Sequence, residues 1–425
     1  MDAYFTAGYN SLQDSLTEGG FQLLLSKVVS KIGCGHTVVR PSKAAARRQG
    51  ALQFPVVMKL WPDTAVVVFN AASKDSLIKR GTVIHSIDGR PIKSITDTLF
   101  QFLSTDGYNQ THKYQTLSNG FSFGRMYLNV FGVKTAYRFT YLDSFGNRRT
   151  VSLPLLGSVA DSSRKAAPRQ KQKKPSKKAR LQEMRSLRID AAAGAAYMTL
   201  HTFQKRHRLQ RFFRQSFKTL QQKHTKHLVI DLRSNGGGSV SASTLLTRYT
   251  INHPFVLADS LYAVNRSWQG RRHQTERLNN WLFLQLMAHR GKNGHFHLRY
   301  FERKKFEPKK KNHFNGNIYL LTGGNTFSAA SLFAGALKGQ SNVTIVGEET
   351  GGAAYGNNAW LLPDLVLPNT RLRIKLPQFR MVVNKDLPKG FGVQPDVFIP
   401  PSVQAIREGR DYKMEAAKSL IQQRN

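Results

Sequence analysis

Ser328 stands where an apolar run ends in glycines and an apolar helix begins, since Asn317 to Ala336 reads NIYLLTGGNTFSAASLFAGA. A hydroxyl at a helix N-terminus meets unpaired N–H groups and the positive end of the helix dipole, which favour a developing negative charge. A serine nucleophile needs that environment, and an ordinary N-cap serine occupies the same one. A second apolar run, His227 to Leu232, leads through Arg233, Ser234 and Asn235 into Gly236, Gly237 and Gly238. Glycines let backbone N–H groups approach a substrate oxyanion closely. A tight turn or a phosphate cradle would use the same glycines, although the Lys and Ser/Thr of a P-loop are missing. His36 offers a third group, a general base. It follows a stretch in which Phe21, Leu24, Leu25, Val28, Val29 and Ile32 fall at helical spacing, broken by Gly33 and Gly35.

The elements that must position these residues follow from the same patterns. Short apolar runs separated by turn signals from about Phe54 to Pro154 predict a small β-rich domain, with strands at Thr64 to Phe69, Thr82 to Ile87, Tyr127 to Phe131 and Tyr137 to Tyr141. From Ile189 onward an αβ rhythm predicts strands at Ala195 to Phe203, His227 to Leu232, Asn317 to Leu321, Val343 to Val346 and Leu372 to Leu376, with helices after the first three. Leu209 to Lys223 and Ala329 to Leu337 are the clearest of those helices. Val264 to His313, rich in aromatic and basic residues, reads as an insertion or lid.

The chain has 425 residues, enough for two or three compact units, and an ordinary apolar content. Its 64 Lys and Arg against 25 Asp and Glu give a formal charge of +39. Such a field attracts polyanions, but the basic residues are spread over every segment. The densest run, RQKQKKPSKKAR at Arg169 to Arg180, lies in a polar stretch that reads as a solvated linker and a possible polyanion contact. One cysteine, Cys34, excludes an internal disulfide and a thiolate metal cluster. It is a weak candidate nucleophile and a small residue that could pack beneath the loop. No stretch approaches the ~20 apolar residues of a membrane span. Met1 to Asn10 has no secretory pattern, which suggests a cytoplasmic protein or a start internal to a longer frame.

The segments LVIDLRSNGGG, LLTGGNTFSAAS and TIVGEETGG, in that order, resemble the three blocks of the tail-specific (carboxyl-terminal processing) serine peptidases. RGTVIHSIDGRPI, at Arg80 to Ile92, resembles part of a PDZ domain. The resemblance implies an α/β peptidase core of the ClpP/crotonase-like type, with an inserted β-rich PDZ-like domain and an N-terminal helical segment. The divisions it suggests are an N-terminal helical segment at 1–45, a PDZ-like domain at 46–157, a basic linker at 158–188, the peptidase core at 189–405 and a C-terminal helix at 406–425. It further implies hydrolysis of protein or peptide substrates through an acyl-enzyme, with no metal or cofactor, in a cell envelope or secreted setting.

By this resemblance Ser328 is the nucleophile, and the N–H groups of Ala329 and Gly237 are the oxyanion donors, each worth about 3 kcal/mol in known peptidases. The Ser-Lys branch of the family carries a lysine where this chain reads Thr350, Gly351, Gly352, Ala353. Ala353 cannot accept a proton. IGCGHT, at Ile32 to Thr37, instead resembles the IGDGHT segment of the tricorn-like branch, which implies His36 as the base. The acid behind it is expected to be Glu349, with Asp386, ahead of GFGVQPDV, as the alternative. The missing lysine also leaves room for a non-catalytic scaffold that binds proteins or polyanions.

Overall fold

The computed structural model describes residues 1–48, 52–72, 77–143, 145–157, 175–267 and 272–424. Its central sheet has six strands, in the order Val397–Phe398, Val343–Gly347, Asn317–Thr322, His227–Asp231, Ala195–Leu200 and Arg185–Asp190. All neighbours are parallel except the last pair. The three middle strands are apolar on both faces because helices cover both. Leu209–Gln222 buries Leu209, Phe212, Phe213, Phe217 and Leu220 on one side, and Phe217 stacks on Tyr249 of helix Val240–Thr250 at 4.4 Å. Each such side chain contributes about 1.5–3 kcal/mol on leaving water. Ligand sites in parallel sheets gather at the C-terminal ends of the strands. That edge carries the glycine loop after Asp231 and the Ser328 turn after Thr322.

The β-rich domain is an antiparallel sheet in the order Val56–Trp61, Thr64–Asn70, Val83–Ile87, Ala136–Leu142 and Arg148–Pro154, packed on helices Ile92–Phe100, Gln110–Ser118 and Ser122–Phe131. Tyr127 to Phe131, expected as a strand, is therefore helical. Phe123 and Tyr127 are one helical turn apart, and both are buried against Phe54. The basic stretch 158–174 lies outside the described residues. Beyond it the chain is ordered: Lys177–Met184 is a helix and Arg185–Asp190 is the edge strand of the central sheet, so the core begins before residue 189.

The expected strand at Leu372 to Leu376 forms as Arg373–Lys375 but belongs to a separate sheet, between Val39–Arg40 and Asp364–Val366. The Val264 to His313 region supplies helix Arg277–Met287 and strand Phe296–His297, which pack on Ser260–Ala263 and Phe379–Val382. The chain ends in helices Val403–Glu408 and Tyr412–Gln422. No helix among the described residues is long and apolar enough to cross a membrane.

Candidate active site

Ser328 occupies the N-cap position of helix Ala329–Leu337, but its hydroxyl caps no N–H, and its backbone stands at φ 55°, ψ −123°. That conformation suits glycine, and a residue with a Cβ is held there at a cost of about 1–3 kcal/mol. The surroundings enforce it. Thr326 donates its hydroxyl to the Leu232 carbonyl at 2.9 Å and accepts from Gly323 N–H at 3.1 Å. Phe327 N–H donates to the Asn235 carbonyl at 3.0 Å, and Gly352 N–H to the Thr326 carbonyl at 3.2 Å. A strained strand-to-helix turn of this kind projects a nucleophile away from its own helix.

Of the two expected oxyanion donors, Ala329 N–H makes no hydrogen bond among the described residues. Gly237 N–H does: it donates to the Asn235 side-chain oxygen at 2.9 Å and is not free in this conformation. The reason is Asn235, fully buried and anchored to the Leu200 carbonyl at 3.0 Å, which folds the loop back on itself. Gly237 matters for its lack of a side chain. A Cβ there would lie 2.7 Å from the Phe327 carbonyl oxygen and 2.8 Å from Ser328 Cβ, at a φ of +91°. Gly237→Ala is expected to push the Ser328 turn aside and lower kcat by about a hundredfold, the cost of roughly 1 Å of misplacement. Steady-state kinetics beside a thermal melt would show it, with kcat falling much further than stability.

His36 arrives from the N-terminal segment. Helix Glu18–Ser30, capped by Thr17, ends in a loop fastened to residues 101–107. Ser30 donates to the Gln101 carbonyl at 2.6 Å, Gly107 N–H to the Gly33 carbonyl at 2.9 Å, and Ser104 to the Thr37 carbonyl at 2.7 Å. The imidazole is 8% exposed and lies against the Phe327 ring at 4.7 Å, and His112 stacks on the same ring at 4.6 Å. His112 also holds the Gly324 carbonyl through Nδ1 at 2.7 Å. The structure thus brings His36 to the residue preceding Ser328. Neither imidazole nitrogen has a hydrogen-bond partner, so no bond joins His36 to the serine in this state.

The carboxylate beside the imidazole is Asp106, with Oδ1 4.0 Å from His36 Nδ1. Its oxygens accept from Gly35 N–H at 2.8 Å and Ala353 N–H at 3.3 Å. Ala353, standing where a lysine base would be, thus contributes a backbone donor to Asp106. Glu349 is a strap elsewhere, accepting from Gly392 N–H at 2.6 Å and the Thr111 hydroxyl at 3.1 Å. Asp386 is on an exposed loop, its N–H donated to the Asn384 side chain. Neither expected acid makes a hydrogen bond or ion pair with His36. Burial pushes the Asp106 carboxyl up to about 6, against the pull of its two N–H donors. Burial, with His112 and Lys375 nearby, pushes His36 down to about 4. At neutral pH the imidazole is neutral, the form that accepts a proton.

Cys34 lies beneath the loop, 1% exposed, and burial raises its thiol pKa. A cleft of about 180 Å³ opens against Gly33, Asp106, Ala353, Asn358, Arg380 and Lys389. Asp106, Phe327 and His112 are the site residues that sequence reasoning missed. Asp106 precedes Gly107, a pairing that commonly marks a turn, and no local signal separates that role from this one.

Residues 194–399 match the model of peptidase family S41. Among solved structures, mature CPAF superposes with a TM-score of 0.67 at 15% identity, over 99% of this chain and 91% of that one. Mature CPAF complexed with lactacystin gives 0.65 at 16% identity, over 99% and 92%. At such identity the likeness speaks for the fold, which it covers nearly end to end. No curated protein sequence matches the chain. Residues 194–399 thus form a peptidase family S41 region, and the chain is a serine-type peptidase, a hydrolase acting on protein substrates.

Proposed function

We propose that the peptidase works through Ser328 as nucleophile, His36 as general base and Asp106 as the acid that orients the imidazole. The observation that carries this reading is the Ser328 turn itself: a non-glycine residue held at φ 55° with an uncapped hydroxyl, next to Phe327, whose ring meets the buried His36 with Asp106 beside it. Nothing in helix capping calls for that strain. A bound peptide would expel water and draw His36 onto the serine, since catalytic hydrogen bonds often tighten only in the complex. His36 then takes the Ser328 proton as Oγ attacks the scissile carbonyl carbon. The oxyanion meets Ala329 N–H at the positive end of its helix. The imidazolium returns its proton to the leaving amine, and water releases the acyl group by the same route. Asp106 fixes the tautomer and stabilises the imidazolium.

The test is labelling by a serine-directed phosphonate. Wild type should be modified at Ser328, Ser328→Ala should not react, and His36→Ala should react about a hundredfold or more slowly, the low end of what a general base contributes. Equal labelling of wild type and Ser328→Ala would remove the assignment.

A further inference from the structure

The loop that delivers His36 places three metal-binding side chains together. One ligand atom each from Cys34, His36 and Asp106 lies within 4.8 Å of the other two, and all three residues are buried. A tetrahedral zinc ion with bonds of about 2.0–2.3 Å needs ligand atoms about 3.3–3.8 Å apart. The His36 to Asp106 separation of 4.0 Å is near that range. Proximity alone would mean little for a residue packed in a core, but His36 adds a second observation. It is more than nine-tenths buried, and both its ring nitrogens lack any hydrogen-bond partner. A buried polar group left unpaired costs about 1–3 kcal/mol, so something is expected to satisfy it in part of the protein's cycle. The substrate complex satisfies Nε2 or Nδ1 through the serine and the acid, and an ion is the other way to do so.

We propose that Cys34, His36 and Asp106 form an inhibitory site for a divalent cation of the zinc class, which silences the peptidase by occupying the imidazole. The donor set, thiolate, imidazole and carboxylate, is the mixture that zinc takes, and magnesium or calcium would not choose it. Thiolate and carboxylate together neutralise the ion's charge, which a buried site requires. The Cys34 thiol proton leaves to solvent as the metal–sulfur bond forms. Asp106 already has its supporting shell, because Gly35 and Ala353 N–H groups orient the carboxylate while leaving lone pairs for the ion. The cleft bordered by Gly33, Asp106 and Ala353 reaches the Asp106 side of the site from solvent. The inhibitory consequence rests on His36 being the base, whereas occupancy of the site does not.

Cobalt(II) titrated into the untagged full chain tests the site without reference to activity. Because Cys34 is the single cysteine, a thiolate-to-cobalt charge-transfer band in wild type can come only from it. The expected result is a band that saturates at one equivalent, that zinc bleaches, and that is absent from Cys34→Ala and Cys34→Ser. In parallel, zinc should inhibit peptide turnover by wild type. Cys34→Ala should keep its basal turnover and need about tenfold more zinc or higher, the low end of what losing a supporting group costs a metal site. No thiolate band in wild type at saturating cobalt, or equal zinc inhibition of wild type and Cys34→Ala, would overturn the proposal. A band in a chain without turnover would leave the metal site standing and remove the serine mechanism. Turnover without a band would do the reverse.

Discussion

Ser328→Ala is expected to lower kcat/KM on a peptide substrate by about ten-thousandfold or more, roughly 5 kcal/mol of transition-state stabilisation, while the melting temperature shifts little. The alanine keeps the Cβ, so the strained turn and its anchors at Thr326 and Phe327 persist. Only Oγ is lost, and it caps nothing. Stability and activity therefore separate. Residual turnover should be what the Ala329 N–H and substrate binding supply alone. Steady-state kinetics with matched thermal melts would measure both. Turnover within tenfold of wild type would place the nucleophile elsewhere.

Asp106→Asn is the second large effect, a fall in kcat of about a thousandfold or more, as when the acid of a serine triad is replaced by its amide. The amide is nearly isosteric. It would turn an NH2 group toward Gly35 N–H, Ala353 N–H or the imidazole, and each of these needs an acceptor. His36 would settle in the wrong tautomer or orientation. Glu349→Gln is the contrasting variant. Its loss falls on the strap between Thr111 and Gly392, so it should lower the melting temperature while kcat changes by less than about tenfold. If Glu349→Gln silenced the enzyme and Asp106→Asn did not, the acid would be Glu349.

Ser328 and His36, the proposed nucleophile and base, stand out in the sequence because each sits at the end of a continuous pattern. Ser328 closes an apolar strand and opens an apolar helix, and His36 follows a helix broken by two glycines. The central sheet was legible for the same reason, as its middle strands are unbroken apolar runs between helices. Asp106 could not be read in that way. Its Oδ1 bond from Gly35 spans 71 positions, and it exists only because the β-rich domain docks on the N-terminal loop. Glu349 looked like the acid because it lies in a family block, but that block's carboxylate holds the Gly392 backbone. Gly237 was recognised for the right proximity and the wrong atom, since its neighbour Asn235 claims the N–H. Tyr127 to Phe131 misled because a short aromatic run has no periodicity of its own, and the burial of Phe123 and Tyr127 against Phe54 decided for a helix.

The short strand Val39–Arg40, three residues past His36, pairs with Arg373–Lys375. Arg373 also reaches the Pro41 carbonyl across 332 positions of sequence. A ribosome adds about 5–20 residues per second, so roughly 17 to 67 s separate the synthesis of His36 from that of the strand beside its loop. For that interval the growing chain holds its histidine without the frame that sets it against Phe327. The strand that frames the His36 loop is therefore completed only late in synthesis.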